Sequence, residues 1–123
     1  MTENPSASPE PTAVLDSTIE GVIEAALEKK AKDLIVLDLR DSGAFTDYFV
    51  ICSGGSHRQV KAIVESIEAR LRIGGRRRIQ TEGAATDWVL IDCFDFVVHV
   101  FTPETRDFYS LERLWGNALQ VEI

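Results

Sequence analysis

The stretch "ICSGGSHRQVKAI", residues 51–63, decides the fold because it joins an apolar run to a helix through a glycine turn. Its apolar part belongs to DYFVICS (47–53), whose β-branched and aromatic side chains are typical of a strand buried on both faces. Ser56 can cap the helix, and Gln59 three residues later completes a capping box. The helix should end at the next Gly-Gly pair and bury one apolar stripe: Val60, Ile63, Val64, Ile67 and Leu71.

The rest of the chain supplies the other elements of an α/β layer. A strand is expected at 33–39, a weak one within 76–83, and a hairpin of 87–93 and 96–102. A last helix should follow Thr102. A first helix from Val14 should bury one face: Leu15, Ile19, Val22, Ile23, Ala26 and Leu27. We therefore predict a mixed five-stranded sheet with three helices, the second helix being a right-handed crossover.

The two ends of the chain differ in composition from the middle. Residues 1–13 hold three of the four prolines and few apolar side chains, which predicts a disordered tail. The folded domain is expected over 14–116, and 117–123 is expected to be a C-terminal tail, in which ALQVEI gives no interpretable pattern. No apolar run could cross a bilayer and no signal-peptide pattern is present, so a cytoplasmic protein is expected.

The charge of the chain is acidic. Twenty Asp and Glu against 13 Lys and Arg give a net charge of −7. Phosphate contacts need Lys and Arg, so this balance favours solubility or a basic protein partner over nucleic acid. The run Arg76–Arg78 could touch RNA phosphates, but in this chain it is more typical of a solvated loop. We expect little direct nucleic-acid contact.

The Gly-Gly-Ser turn raises the hypothesis of a nucleotide-using enzyme. Free N–H groups at a helix start form a good anion site, as in nucleotidyltransferases. A transferase also needs carboxylates on a following strand to hold metal ions. The next acids, Glu65 and Glu68, are on the helix, and Asp92 and Asp95 come much later, beside the hairpin turn. The enzyme is therefore kept only as the alternative hypothesis.

Neither a metal site nor a catalytic group follows from the remaining residue patterns. Cys52 and Cys93 lie in apolar runs, as buried cysteines do, and with His57 and His99 they lack the paired spacing of a zinc site. His99 is mid-strand among apolar residues, which is more typical of a satisfied histidine than of a catalytic base. We predict no catalytic residue, no metal and no cofactor.

Large side chains accumulate on the hairpin. Trp88, Leu90 and Asp92 share one face of its first strand, and Val97, His99 and Phe101 share one face of the second. Some of these groups must be core. Aromatic residues beyond the needs of the core would be anchors for a partner.

Three motifs together resemble the ribosomal silencing factor family, also called RsfS or Iojap. They are "TDYFVICSGGSHRQVKAI", "EG...TDWVLIDCFDFVVHVF" and "ETRDFYSLERLW", in the family's order and spacing. The resemblance implies a fold related to nucleotidyltransferases but without their catalytic carboxylates, and no enzymatic activity. It implies binding to the fourteenth large-subunit ribosomal protein, which sterically keeps the small subunit from joining and silences translation when nutrients are short. Related proteins also serve subunit biogenesis and are often homodimers.

The resemblance also implies partner contacts, position by position. Trp88 matches the Trp of the family's "DW" motif, and Phe101 lies where the family often has an exposed apolar residue after "VHV". One departure is the last hairpin turn, where the family commonly has Gly-Asp and this chain has Phe94-Asp95. The other expected contacts are acidic residues that would meet a basic protein and two residues of the "TR-x-x-Y" segment: Glu82, Asp87, Asp92, Arg106 and Tyr109.

Overall fold

The described residues fold into one mixed sheet with three helices. The computed structural model describes residues 16–109 and 119–121. The helices are α1 (Ser17–Glu28), α2 (His57–Ile73) and α3 (Pro103–Tyr109). The strands are β1 (Lys32–Asp38), β2 (Tyr48–Ser53), β3 (Gln80–Glu82), β4 (Trp88–Asp92), β5 (Phe96–Phe101) and β6 (Leu119–Val121). The predicted α/β class is confirmed, with the five expected strands and one more.

The sheet order is β3-β4-β5-β2-β1-β6. Strands β2 and β5 pair in parallel, as a crossover through α2 requires, and every other neighbouring pair is antiparallel. The sixth strand pairs with β1 and comes from the segment in which the sequence showed no pattern. The expected tail 1–13 and residues 110–116 of the expected last helix lie outside the described residues. The relation to nucleotidyltransferases stays a prediction.

Alternation along the central strands separates two apolar clusters. Val36, Val50 and Val98 point to the face covered by α1 and α2, where they pack against the stripe predicted for α2. All five residues of that stripe are buried, and α2 ends at Gly74 as expected. The opposite face holds the second cluster: Leu37, Leu39, Phe49, Ile51, Val97 and Phe101, with Ile35, Ala44, Trp88 and Leu90 partly buried against it.

One residue of the predicted α1 face is misplaced. Ile19, Val22, Ile23 and Ala26 are buried, but Leu27 is 52% exposed. At 100° per residue Leu27 lies roughly 90° from the centre of the buried stripe, so it falls at the edge of the contact with the sheet. Leu15 lies outside the described residues.

The β4–β5 hairpin turns at Phe94, whose φ of 77° is in the left-handed region that glycine adopts without strain. The Phe94 N–H donates to Asp92 Oδ1 at 2.9 Å, and Thr46 Oγ1 donates to the Phe94 carbonyl at 3.0 Å. These bonds hold the turn although its residue is not glycine. The Phe94 ring is 75% exposed.

Candidate functional site

Two N–H groups of the Gly-Gly-Ser turn between β2 and α2 donate to acceptors within the chain. The Gly54 N–H donates to the Phe101 carbonyl at 2.9 Å, and the Gly55 N–H donates to Gln59 Oε1 at 2.6 Å. Ser56 caps α2 as predicted, its hydroxyl accepting from the Gln59 N–H at 3.1 Å. Two donors that a phosphate would need are therefore already occupied.

The side chain of Gln59 does more than the predicted capping box. In that motif it would accept from the N–H of Ser56, but here it accepts from Gly55 instead. Its Nε2 donates to the carbonyls of Lys29 and Lys30 at 3.1 and 3.0 Å. Gln59 thus links the end of α1 to the start of α2.

Gly54 is required by packing. A Cβ at this position would lie 2.9 Å from the Val60 backbone nitrogen and 3.1 Å from Val60 Cγ2. A Cβ at Gly55 would approach only Gln59 Oε1, at 3.3 Å, which is the end of a side chain. The first glycine lets α2 approach β2 closely, which accounts for its presence without a ligand.

The acids that metal-dependent transfer would need are far from this turn. Ser53 pairs with Phe101, and Phe101 pairs with Trp88, so the turn lies at the Trp88 end of β4. Asp92 is at the other end, about 13 Å along the strand. Asp87 is the acid near the turn, and its carboxylate contacts His57 Nε2. Among residues 16–109 and 119–121 no group of three or more His, Cys, Asp or Glu could hold a metal ion.

The end of the sheet near this turn carries an aromatic cluster on the face opposite α1 and α2. Trp88 stacks on Phe101 with ring centroids 5.1 Å apart and an angle of 24°. Its indole Nε1 donates to His99 Nδ1 at 3.1 Å. Leu90 is partly buried beside it. We call Trp88, Leu90, His99 and Phe101 the aromatic face.

His99 is a buried, neutral histidine, only 3% exposed. Burial lowers its pKa to about 4, because a charged imidazolium would lose its hydration there. Since Nδ1 accepts from Trp88, the proton of the neutral ring is on Nε2, which has no hydrogen-bond partner in the described part of the chain. The sequence predicted a histidine whose ring nitrogens have hydrogen-bond partners. This prediction is confirmed for Nδ1 and wrong for Nε2.

The expectation of an exposed Phe101 is wrong. The ring is 1% exposed, because β5 is central in the sheet and Trp88 covers the ring. Phe101 therefore supports Trp88 from below and presents no surface of its own. Trp88, in contrast, lies on β4 beyond the end of β3 and keeps part of its surface exposed.

The structure brings some of the other predicted residues to this face. Glu82 pairs with Leu90, so the two side chains share the face, and Glu82 is exposed. Asp92 is on the same face at the far end of β4, but one of its oxygens accepts from Phe94. Asp87 instead turns to His57 at the start of α2.

The two residues of the "TR-x-x-Y" segment are on α3. Arg106 Nη1 donates to Ser53 Oγ at 3.2 Å, which holds α3 near the aromatic-face end of β2. The side chain of Tyr109 lies outside the described part of the chain.

One exposed aromatic residue was not predicted. Phe45, in the loop between β1 and β2, is 75% exposed, and its ring meets Phe49 edge-on at 6.3 Å between centroids. Phe49 belongs to the second cluster, so Phe45 extends the apolar surface of that face. The signal in the sequence was a lone aromatic in an otherwise polar loop, RDSGAFT.

Both cysteines are buried and free, as their apolar surroundings predicted. Burial raises the pKa of the Cys52 thiol to about 12 and that of Cys93 to about 11. Neither therefore forms a thiolate readily near neutral pH. No helix in the described ranges is long and apolar enough to cross a membrane.

These features define an α/β domain with α1 and α2 on one face of its sheet and an aromatic, partly exposed surface on the other. The chain belongs to the ribosomal silencing factor family. The family model described as "Ribosomal silencing factor during starvation" matches residues 12–123. This confirms the resemblance drawn from the three motifs.

Individual relatives agree with this assignment. Ribosomal silencing factor RsfS of Bacillus subtilis is 41% identical over 92 residues, covering 74% of this chain and 78% of the relative. The mouse protein named mitochondrial assembly of ribosomal large subunit protein 1 is 34% identical over 101 residues, covering 79% of this chain but 44% of its own length. A crystal structure of a Chromobacterium violaceum protein superposes with a TM-score of 0.78 at 38% identity, covering 81% of this chain and 84% of that one.

Proposed function

We propose that this protein binds the large ribosomal subunit through its fourteenth ribosomal protein and sterically blocks joining of the small subunit. Translation in the cytoplasm would thereby be repressed when nutrients are limiting. Family membership and the names of the relatives support the ribosomal setting. The observation that carries the choice of surface is the aromatic face around Trp88.

Trp88 has the properties of an interface anchor. Its ring is stacked on Phe101 and its N–H is fixed by His99, so little side-chain freedom remains to be lost on binding. Tryptophan is among the residues that most often dominate binding energy in protein interfaces. A rigid, partly exposed Trp at the edge of a sheet is suited to insert into a pocket of a partner.

The charges around the anchor favour a basic partner. Glu82 is exposed on the same face, and the whole chain has a net charge of −7. Opposite charge accelerates encounter with a basic ribosomal protein more than it strengthens the final complex. Silencing by this route has no catalytic step, because a 13.7 kDa protein seated on a joining surface is enough to obstruct it.

Co-sedimentation with purified large subunits tests the anchor. Trp88→Ala should weaken binding at least about 30-fold, which corresponds to the roughly 2 kcal/mol of an interface hot spot. The matched control is Leu27→Ala, which removes an exposed apolar side chain from α1 on the helical layer. Equal binding of wild type and Trp88→Ala, with the mutant shown to be folded by circular dichroism, would contradict the assignment.

A homodimer through the same face is the second candidate for this surface. The exposed Phe45 and the partly exposed Trp88 supply apolar area that a second copy could cover. Such a dimer would hide Trp88, so dimerisation and subunit binding would compete. Light scattering of wild type and Trp88→Ala at several concentrations measures the dimer directly. A monomer in both samples would contradict the dimer hypothesis.

A further inference from the structure

The segment from Ala69 to Thr81 has a charge opposite to that of the whole chain. It contains five arginines and no acidic residue, although the protein carries a net charge of −7. It includes the last turn of α2 and the connection to β3. Overall charge argues against contact with phosphates, but contact depends on the local charge of the surface that meets them.

Two of the five arginines are used inside the fold. Arg70 forms ion pairs with Glu24 and Glu28 of α1. Arg76 Nη1 lies 3.1 Å from Asp95 Oδ1 and donates to the Cys93 carbonyl at 3.3 Å, while its guanidinium lies over the Phe96 ring. Arg76 therefore fastens this segment to the β4–β5 turn.

The remaining three arginines, Arg72, Arg77 and Arg78, are exposed. None of them lies within 4 Å of a carboxylate belonging to the residues that the structure describes. Their charges are consequently available to a ligand.

An exposed aromatic ring lies beside these charges. A cavity of about 360 Å³ is lined by Arg77, Arg78, Gln80, Asp92 and Phe94, and an adjoining one of about 480 Å³ adds Arg72. Phe94 is 75% exposed and is held in a left-handed conformation that is strained for a phenylalanine. Asp92 brings one negative charge to this surface, and one of its oxygens is occupied by the Phe94 N–H.

We propose that Arg72, Arg77, Arg78 and Phe94, here called the arginine–phenylalanine surface, bind unpaired RNA. Guanidinium groups pair with phosphate oxygens in a bidentate manner, and an exposed aromatic ring stacks on an unpaired base. An acidic peptide would use the arginines but has no base to stack on Phe94, so the exposed ring favours RNA. The surface lies at the opposite end of β4 from Trp88 and adds a second ligand to the proposed function.

Fluorescence anisotropy with a labelled, mixed-sequence single-stranded RNA of about 12 nucleotides tests this surface, over about 50 to 200 mM salt. Wild type should bind, and its affinity should fall with salt. The double variant Arg77→Gln/Arg78→Gln should lose about tenfold or more in affinity and reduce the slope of log K against log salt by about 1.4, because two phosphate contacts disappear. Phe94→Leu should bind about tenfold more weakly with an unchanged slope, since only stacking is lost.

The control is Arg58→Gln/Lys61→Gln, which removes two exposed cations from the first turns of α2. We expect it to leave both affinity and slope unchanged. Equal weakening by both double variants would overturn the proposal, as would tighter binding of a poly-glutamate peptide of equal length. Thermal unfolding of each variant checks that the fold is intact.

The same samples separate this inference from the function proposed above. Wild type that pellets with large subunits but binds no free RNA would overturn the RNA surface alone. Wild type that binds RNA through these residues but does not pellet with large subunits would overturn the ribosomal proposal alone.

Discussion

The Gly-Gly-Ser turn and the aromatic face lie at the same end of the sheet, yet they differ in what they leave available. At the turn the N–H groups of Gly54 and Gly55 are both occupied by groups of the chain itself. At the aromatic face Trp88 is oriented by His99 and Phe101 but keeps part of its surface exposed. The first region has two of its N–H groups taken by the chain itself, whereas the second keeps an oriented aromatic surface exposed.

This difference shows that a sequence motif marks a binding site only where its groups remain available to a ligand. A glycine turn before a helix offers an anion site only while its donors are free. Here Gln59 fills that role from inside, so the turn joins α1, β2 and α2 structurally. The aromatic face shows no sequence motif for chemistry, but its buried support makes its exposed part rigid. Three changes test the contrast, in order of decreasing effect.

The largest expected effect is that of acid, which should lower the free energy of unfolding through His99 of the aromatic face. Its pKa is about 4 in the fold and near 6.5 when unfolded, so between these values only the unfolded chain takes up the proton. The free energy of unfolding should fall by up to about 1.4 kcal/mol per pH unit from pH 6.5 down to about 4, roughly 3 kcal/mol in all. Protonation of Nδ1 would also remove the acceptor for the Trp88 N–H.

Urea unfolding at several pH values measures this loss. His99→Gln is the matched control, since its amide oxygen can still accept from Trp88 but does not titrate. We expect the free energy of unfolding of the variant to depend less on pH than that of the wild type between pH 6.5 and 4. Parallel curves for the two proteins would show that His99 is not held neutral by burial. Arg40 lowers the pKa of Asp38. Protonation of Asp38 therefore reduces the free energy of unfolding at more acidic pH, below the ordinary aspartate pKa of 3.8.

Gly54→Ala should destabilise the turn by about 2 kcal/mol, because the new Cβ would overlap the Val60 backbone nitrogen and force α2 outward. Gly55→Ala is the control, and its effect should be smaller because the new Cβ would approach only Gln59 Oε1, at 3.3 Å, and no backbone atom. Urea denaturation of both variants gives the comparison. If Gly55→Ala were the more damaging of the two, Gly54 would not be the position fixed by packing.

Gln59→Ala should have the smallest effect, about 1 kcal/mol of lost stability, because water can replace its three hydrogen bonds at a partly exposed position. Gln59→Glu should lose at least as much, because it still accepts from Gly55 but places a carboxylate oxygen against the Lys29 and Lys30 carbonyls, to which Nε2 donates in the wild type. Calorimetry of wild type with ATP and magnesium is the companion measurement. Saturable heat that Ser56→Ala abolishes would show that the turn binds nucleotides.

What the sequence predicted well depends on neighbours along the chain. The cap at Ser56, the buried stripe of α2 and the β4–β5 hairpin follow from periodicity and turn chemistry within about 20 residues. The shared face of Trp88, Leu90 and Asp92 followed from strand alternation in the same way. These elements are confirmed because no distant contact competes with the local pattern.

What the sequence missed depends on distant partners. Strand β6 forms by pairing with the open edge of β1. The sequence ALQVEI has no pattern that predicts this pairing. The burial of Phe101 depends on Trp88 stacking across the hairpin, and the role of Gln59 depends on carbonyls about 30 positions earlier. The local pattern could not show that Leu27 falls beyond the edge of the sheet.

The central claim is that the aromatic face is the working surface, and a subunit-joining assay tests it most directly. Purified large and small subunits are mixed with the protein and separated on a sucrose gradient, and the joined particle is quantified. Wild type and Gly55→Ala should reduce joining, whereas Trp88→Ala, folded and at equal concentration, should leave joining close to the level without protein. Equal blocking by wild type and Trp88→Ala would contradict the account.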